Sequence, residues 1–212
     1  MNTIVLWYPA GSGGKFLINC LALSRHCHLQ HSELIKQQAT PIDKFTHLMN
    51  ELELVATGKS NNVPGTWSDL GMGNDNIFDQ SNCELLEPAT IGDGIVFFTA
   101  HGHTQGLGYK FLKKYPKSTV ILFTKFNKFI AWRSEHSNIK YDTLDIFEFP
   151  QVTNKVLEWS ADCYLDTQTF LSSIKQLYSD LGLDDFNQEL IEQFHNKYIN
   201  TLANLNHYDN NL

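Results

Sequence analysis

No stretch of this chain is apolar for long enough to cross a bilayer, and no basic region precedes an apolar core at its amino terminus. Neither a membrane span nor a signal peptide is expected. No CxxC pair occurs among the cysteines at 20, 27, 83 and 163. That spacing argues against a finger-type zinc site or a disulfide framework and suits reduced, mostly buried thiols of a cytoplasmic protein. Positive charge is scarce. The formal net charge of −7 disfavours nonspecific nucleic-acid binding and anionic membrane surfaces. Charged residues make up only 18% of the sequence beside an ordinary apolar content, the balance of a compact chain rather than a disordered one. Internal repeats and low-complexity segments are absent. The 212 residues suit one domain, large enough to bury about 70% of the surface exposed by its unfolded chain.

What the sequence does have is concentrated near the amino terminus. The apolar run Thr3-Ile-Val-Leu-Trp7 leads into Tyr8-Pro-Ala-Gly-Ser-Gly-Gly-Lys-Phe-Leu17, and a helical pattern follows from Lys15 to Ser24. A strand, a glycine-rich turn and a helix N-terminus form an anion pocket, because glycines let successive N–H groups converge while the helix end adds partial positive charge. Lys15 falls in the first helical turn, within reach of a phosphate held there. The plainer alternative is a glycine-rich turn with a surface lysine. The usual triphosphate loop asks for Gly, four residues, Gly-Lys and then Ser or Thr. Here Pro9 takes the first glycine position and Phe16 the hydroxyl position, so a required Mg²⁺ ligand is missing. Neither Gly94-Ile-Val-Phe-Phe-Thr-Ala100 nor Thr119-Val-Ile-Leu-Phe-Thr124 ends in an acid, and Asp166 is the one weak substitute. The loop reads as built for phosphate without a metal.

Periodicity places further helices over 32–38, 41–57, 104–115, 126–136, 167–181 and from 184 to about 206, with strands at 95–99, 119–124 and 161–165. Between 58 and 93 the pattern dissolves into a long irregular segment, where Trp67 or Phe78 could wall a ligand or cap the core. The junction Leu181-Gly-Leu-Asp-Asp185 supplies a C-terminal glycine and an acidic N-cap. Strands alternating with helices imply an α/β fold in three layers, with a parallel sheet of about four strands and helices on both faces. His26-Cys-His28, with Cys20 and His31 nearby, reads as a helix C-terminus whose histidines favour the negative dipole end, in preference to a zinc site.

In such sheets ligands sit at the carboxyl ends of the strands. Ala100-His-Gly-His103 follows one strand, so His101 or His103 is either a general base or a backbone-bonded structural histidine. Lys125 follows another, with Arg133 and Ser134 eight and nine residues later, as a second phosphate site or a solvated helix face.

Together these residues resemble the sulfotransferases that use 3′-phosphoadenosine 5′-phosphosulfate, which have a P-loop-type fold. Their loop has the form Pro-Lys-Ser-Gly-Thr-Thr-Trp-Leu. Ala10-Gly-Ser-Gly-Gly-Lys-Phe-Leu17 is similar, matching at Ser12, Gly13 and Leu17 with Phe16 for the aromatic. Phe97-Phe-Thr-Ala-His-Gly-His103 resembles the family's strand ending in Thr-His, whose histidine is the catalytic base. The ungapped register selects His103, with His101 second. The same register puts Lys125 at the family's 3′-phosphate arginine and Arg133 at its serine, one residue before Ser134. Cys163-Tyr-Leu-Asp-Thr-Gln-Thr-Phe-Leu171 and Leu181-Gly-Leu183 resemble a later strand, helix and Leu-Gly element. The likeness is greatest to small, divergent members from microbes and their phages.

The resemblance implies metal-independent transfer of a sulfuryl group from that nucleotide to a hydroxyl or amine acceptor. It implies a cofactor site over Gly11, Ser12, Gly13, Gly14, Lys15 and Phe16, with Lys125, Arg133 and Ser134. The family's loop lysine is Gly11 here, so stabilising the leaving phosphate passes to Lys15. Lysine at 125 loses the planar, bidentate grip of arginine. Two alternatives are a Mg²⁺-dependent nucleotide kinase or NTPase, and a nucleotide-binding or assembly protein that has lost its chemistry.

Overall fold

The computed structural model describes residues 2–27, 39–59, 68–69, 78–79, 84–85, 94–100, 105–136 and 148–204. Strand β1 (Asn2–Trp7) leads to helix α1 (Gly14–Ala22), and helix α2 (Pro41–Ala56) follows. Three two-residue strands come next: β2 (Ser68–Asp69), β3 (Phe78–Asp79) and β4 (Glu84–Leu85). The chain continues through β5 (Ile95–Ala100), α3 (Gln105–Lys114), β6 (Thr119–Lys125), α4 (Asn127–His136) and β7 (Lys155–Ser160). A 3₁₀ turn (Ala161–Leu165) then enters α5 (Thr167–Asp180) and α6 (Gln188–Ala203). The helix expected over 32–38 lies outside the described residues.

The parallel sheet runs β2–β5–β1–β6–β7, so four strands of six or seven residues carry a two-residue fifth at one edge. This is the expected α/β fold. Strand side chains alternate between two apolar layers. Ile4, Leu6, Phe97, Ile121 and Phe123 join α1, α2, α5 and α6 in the larger. Val5, Trp7, Val96, Phe98 and Val120 face α3 and the segment carrying Phe149 and Val152.

The fourth long strand is not where the apolar run suggested. Residues 161–165 form the 3₁₀ turn, and the strand is Lys155-Val-Leu-Glu-Trp-Ser160 just before it. As an edge strand β7 buries only Trp159 fully, so its exposed Lys155 and Glu158 hide the pattern. Two cap assignments also resolve. Asn187, not an acid at 184 or 185, caps α6 by accepting from the Leu190 N–H. Asp166 caps α5, accepting from the Thr169 hydroxyl at 2.5 Å and from the Thr169 N–H at 2.8 Å, which together hold its carboxyl below the usual range.

Helix α1 is the pivot of the larger layer, with every residue but Lys15 buried. Its carboxyl end is clamped from two sides. The buried Lys44 Nζ donates to the Ser24 carbonyl (2.7 Å) and to that of Cys27, in the turn that follows the helix. Asp185 accepts from the Ser24 hydroxyl at 2.7 Å and the Arg25 N–H at 2.6 Å. Burial lowers the Lys44 pKa, and the nearby Cys27 and Asp185 oppose that shift. Lys44→Met keeps the stem but takes the ammonium donor from the Cys27 carbonyl and leaves the Ser24 carbonyl only the Cys27 N–H, at 3.2 Å. It should destabilise the fold by about 2–4 kcal/mol, read as a fall in the urea midpoint at unchanged slope.

Candidate functional site

The site begins where β1 ends. Neighbouring strands β1 and β6 send the chain in opposite directions, β1 toward the β2 edge and β6 toward β7. That reversal opens a crevice at the carboxyl ends of an α/β sheet. The loop 8–13 leaves β1 on one side of it, and Lys125 ends β6 on the other.

Two glycines set the loop's shape. Gly11 and Gly13 sit at φ 80° and 79°, in the left-handed region that side chains resist. Ser12 donates its N–H (3.2 Å) and its hydroxyl (2.7 Å) to the Pro9 carbonyl, pulling the turn closed. Gly14 opens α1 directly against the Tyr8 ring, where a Cβ would lie 2.4 Å from ring carbons. A Cβ on Gly13 would sit 2.8 Å from Tyr164 and 3.0 Å from Phe129. By helix geometry, the amides of Gly14, Lys15 and Phe16 have no acceptor within α1. Their N–H groups and the dipole favour an anion at this end.

The cations are arranged to match. Lys15, the single exposed residue of α1, occupies the first turn, beside the helix's positive dipole end. Arg133, one of only two arginines in the sequence, reaches from α4 and donates to the Gly11 carbonyl at 2.9 Å. Loop and guanidinium are thus one unit, although 122 residues separate them.

The predicted residues divide accordingly. Gly11, Gly13, Gly14, Lys15 and Arg133 come together at the loop. Ser12 and Phe16 belong to its foundations instead. The Ser12 side chain is fully buried with its hydroxyl committed to Pro9. Phe16 is also fully buried, stacked 4.1 Å from Tyr198 and ringed by Tyr164, Phe170 and Phe194, so only its amide can face a ligand. Lys125 is exposed at the end of β6. Ser134 is exposed on α4 and bonds back to the Ile130 carbonyl at 2.9 Å. His101, His103 and Trp67 lie outside the described residues, and so do His28, His31 and Cys83. Cys20, Cys27 and Cys163 are free and buried, and burial raises all three thiols, the last two to about 12. His26 stands with Asp184 and Asp185 as a possible cation-binding trio, but Arg25 already grips Asp184 at 3.0 and 3.1 Å.

No family model, curated protein or solved structure matches this chain.

Two residues that carry no local signal complete the site. Thr99, near the carboxyl end of β5 and facing the α1 layer, is fully buried with its hydroxyl unbonded among the described residues. Tyr164 is the larger omission. Its hydroxyl accepts from Trp159 Nε1 at 3.0 Å and donates to the Gly13 carbonyl at 3.3 Å, while its own carbonyl is 2.9 Å from His195 Nε2. The 3₁₀ turn thereby ties the loop to α6.

Gly14→Ala must displace Tyr8 and should cost about 1–3 kcal/mol. Tyr164→Phe leaves the buried Trp159 N–H unpaired and should cost about 1–2 kcal/mol. Urea unfolding reads both. His195 is held neutral, its pKa lowered by burial against the opposing hydrogen bond to Tyr164. The unfolded chain therefore takes up the proton first, near pH 6.5. Stability attributable to His195 is complete above that pH and is lost as pH falls toward its depressed folded value. Urea midpoints from pH 7.5 to 5 should fall less steeply in His195→Gln than in the wild type.

Proposed function

We propose that the chain transfers a sulfuryl group from 3′-phosphoadenosine 5′-phosphosulfate to a hydroxyl or amine acceptor, binding the cofactor's 5′ end at the loop over Pro9–Phe16. The observation that carries the phosphate reading is the loop itself. It combines two left-handed glycines at the switch point, an exposed lysine against the dipole and an arginine on the Gly11 carbonyl. The position that would supply a magnesium-binding hydroxyl is instead the aromatic Phe16, sealed in the core. This favours a reaction that stabilises charge with amides and cations over the kinase or NTPase alternative.

These donors fit an anionic phosphate group. When bound, the cofactor supplies the sulfuryl group, whose bond to phosphate oxygen breaks as a bond to the acceptor forms. Lys15 and the amides of Gly14 to Phe16 hold the charge left on that phosphate. His103, with His101 as second choice, takes the acceptor's proton. Lys125, Arg133 and Ser134 receive the 3′-phosphate, with Arg133 also bracing the loop. The sulfuryl reading rests on the sequence resemblance, and the phosphate reading on the loop.

Calorimetric titration with 3′,5′-ADP, 5′-ADP and Mg-ATP separates the readings. Tightest binding of 3′,5′-ADP without metal is expected, and preference for Mg-ATP would reverse the assignment. Lys15→Ala should weaken 3′,5′-ADP binding about tenfold, or ~1.4 kcal/mol. His103→Ala should abolish turnover while leaving nucleotide affinity intact. Unchanged rates in both His101→Ala and His103→Ala would remove the histidine base.

A further inference from the structure

Helix α3 contains two glycines, and packing explains only one. A Cβ on Gly108 would lie 2.8 Å from both Ala100 Cβ and the Trp7 ring, so α3 can rest on β1 and β5 only with glycine there. A Cβ on Gly106 would meet nothing within 4 Å among the described residues. Glycine weakens a helix relative to alanine, and no packing contact among the described residues offsets that cost at Gly106.

The space beside Gly106 is a cleft of about 240 Å³. Trp7, Tyr109, Phe149 and Pro150 wall it, with Gln105 at the helix start. Two walls are fixed. Trp7 is almost fully buried, donates its Nε1 proton to the Glu148 carbonyl at 3.0 Å, and meets Phe149 edge to face at 5.4 Å. Tyr109 is 36% exposed, offering ring surface to a ligand, and Lys113 Nζ stands 4.9 Å from its centroid. The cleft is open to solvent on one side, and its volume leaves room for one or two fused rings lying against these walls. Aromatic walls stack or edge-pack against such rings. Glu148 brings a negative charge to the described lining and Lys113 a positive one beside Tyr109, so the aromatic walls and not a net charge select the occupant.

We propose that this cleft binds a flat aromatic compound of one or two rings. Trp7 ends β1 two residues before the loop begins at Pro9, and Gln105 directly follows the segment bearing His101 and His103. The occupant's identity as the acceptor rests on the nucleotide reading, whereas the cleft as a ring site does not.

The test uses the full chain without nucleotide, with indole, tryptamine and indole-3-acetate as probes followed by saturation-transfer NMR and calorimetry. All three indoles should bind, the shared ring and not the side-chain charge deciding the affinity. Gly106→Leu projects a side chain into the cleft from a site with room for it. It should weaken indole and tryptamine at least about tenfold without lowering Tm. Tyr109→Ala, at an exposed position, should weaken them as well. Binding unchanged in both variants, or no binding of any probe at about 5 mM, would overturn the proposal. A failed nucleotide titration with ring binding intact would remove only the acceptor role.

Discussion

The contact between Gly13 and Tyr164 governs the rest of the structure. A left-handed backbone at Gly13 brings the loop onto the Tyr164 ring, where no side chain would fit. The same tyrosine then holds the Gly13 carbonyl through its hydroxyl. Arg133 fixes the Gly11 carbonyl from α4, and Ser12 fixes the turn internally. Three anchors occupy the loop's carbonyl side. Carbonyls bound to protein donors turn inward, leaving the amide face of the loop as the surface to offer an anion. Preorganisation of this kind spares a ligand the cost of ordering the backbone.

Phe16 illustrates how one position can be read correctly in type and incorrectly in use. An aromatic residue after Gly-Lys resembles the sulfotransferase loop, which suggests a contact with the cofactor. The structure instead sends the ring into the hub of an aromatic cluster with Tyr164, Phe170, Phe194 and Tyr198. A fully buried Phe of this kind contributes to stability on the scale of about 3–5 kcal/mol. Its function is to lock the first turn of α1 so that the amides above it stay aimed outward.

Much of the fold was legible because β1, β5 and β6 are buried on both faces and read as unbroken apolar runs. The helix start at 41 and the closing glycine at 182 were legible because their chemistry is local. β7 was not, since an edge strand wets one face and mixes charge into its pattern. Asp184 and Asp185 resemble an N-cap pair locally, but distant partners on the α1 end claim them. The loop's glycines and Lys15 could be found by spacing alone. The links made by Tyr164 and by Arg133 to the loop could not, because contacts 151 and 122 residues apart leave no periodic trace.

Those separations have a consequence during synthesis. The cradle following β1 is encoded within the first sixteen residues, yet the groups that shape it include Phe129, Arg133 and Tyr164, and Asp185 secures the far end of α1. Contacts so remote in sequence close late, after the entropy of long intervening loops has been overcome. A chain emerging from the ribosome therefore carries its most recognisable motif for most of translation without a formed anion nest. The loop's fixed shape arrives only with the carboxyl-terminal third, which carries Tyr164 and Asp185.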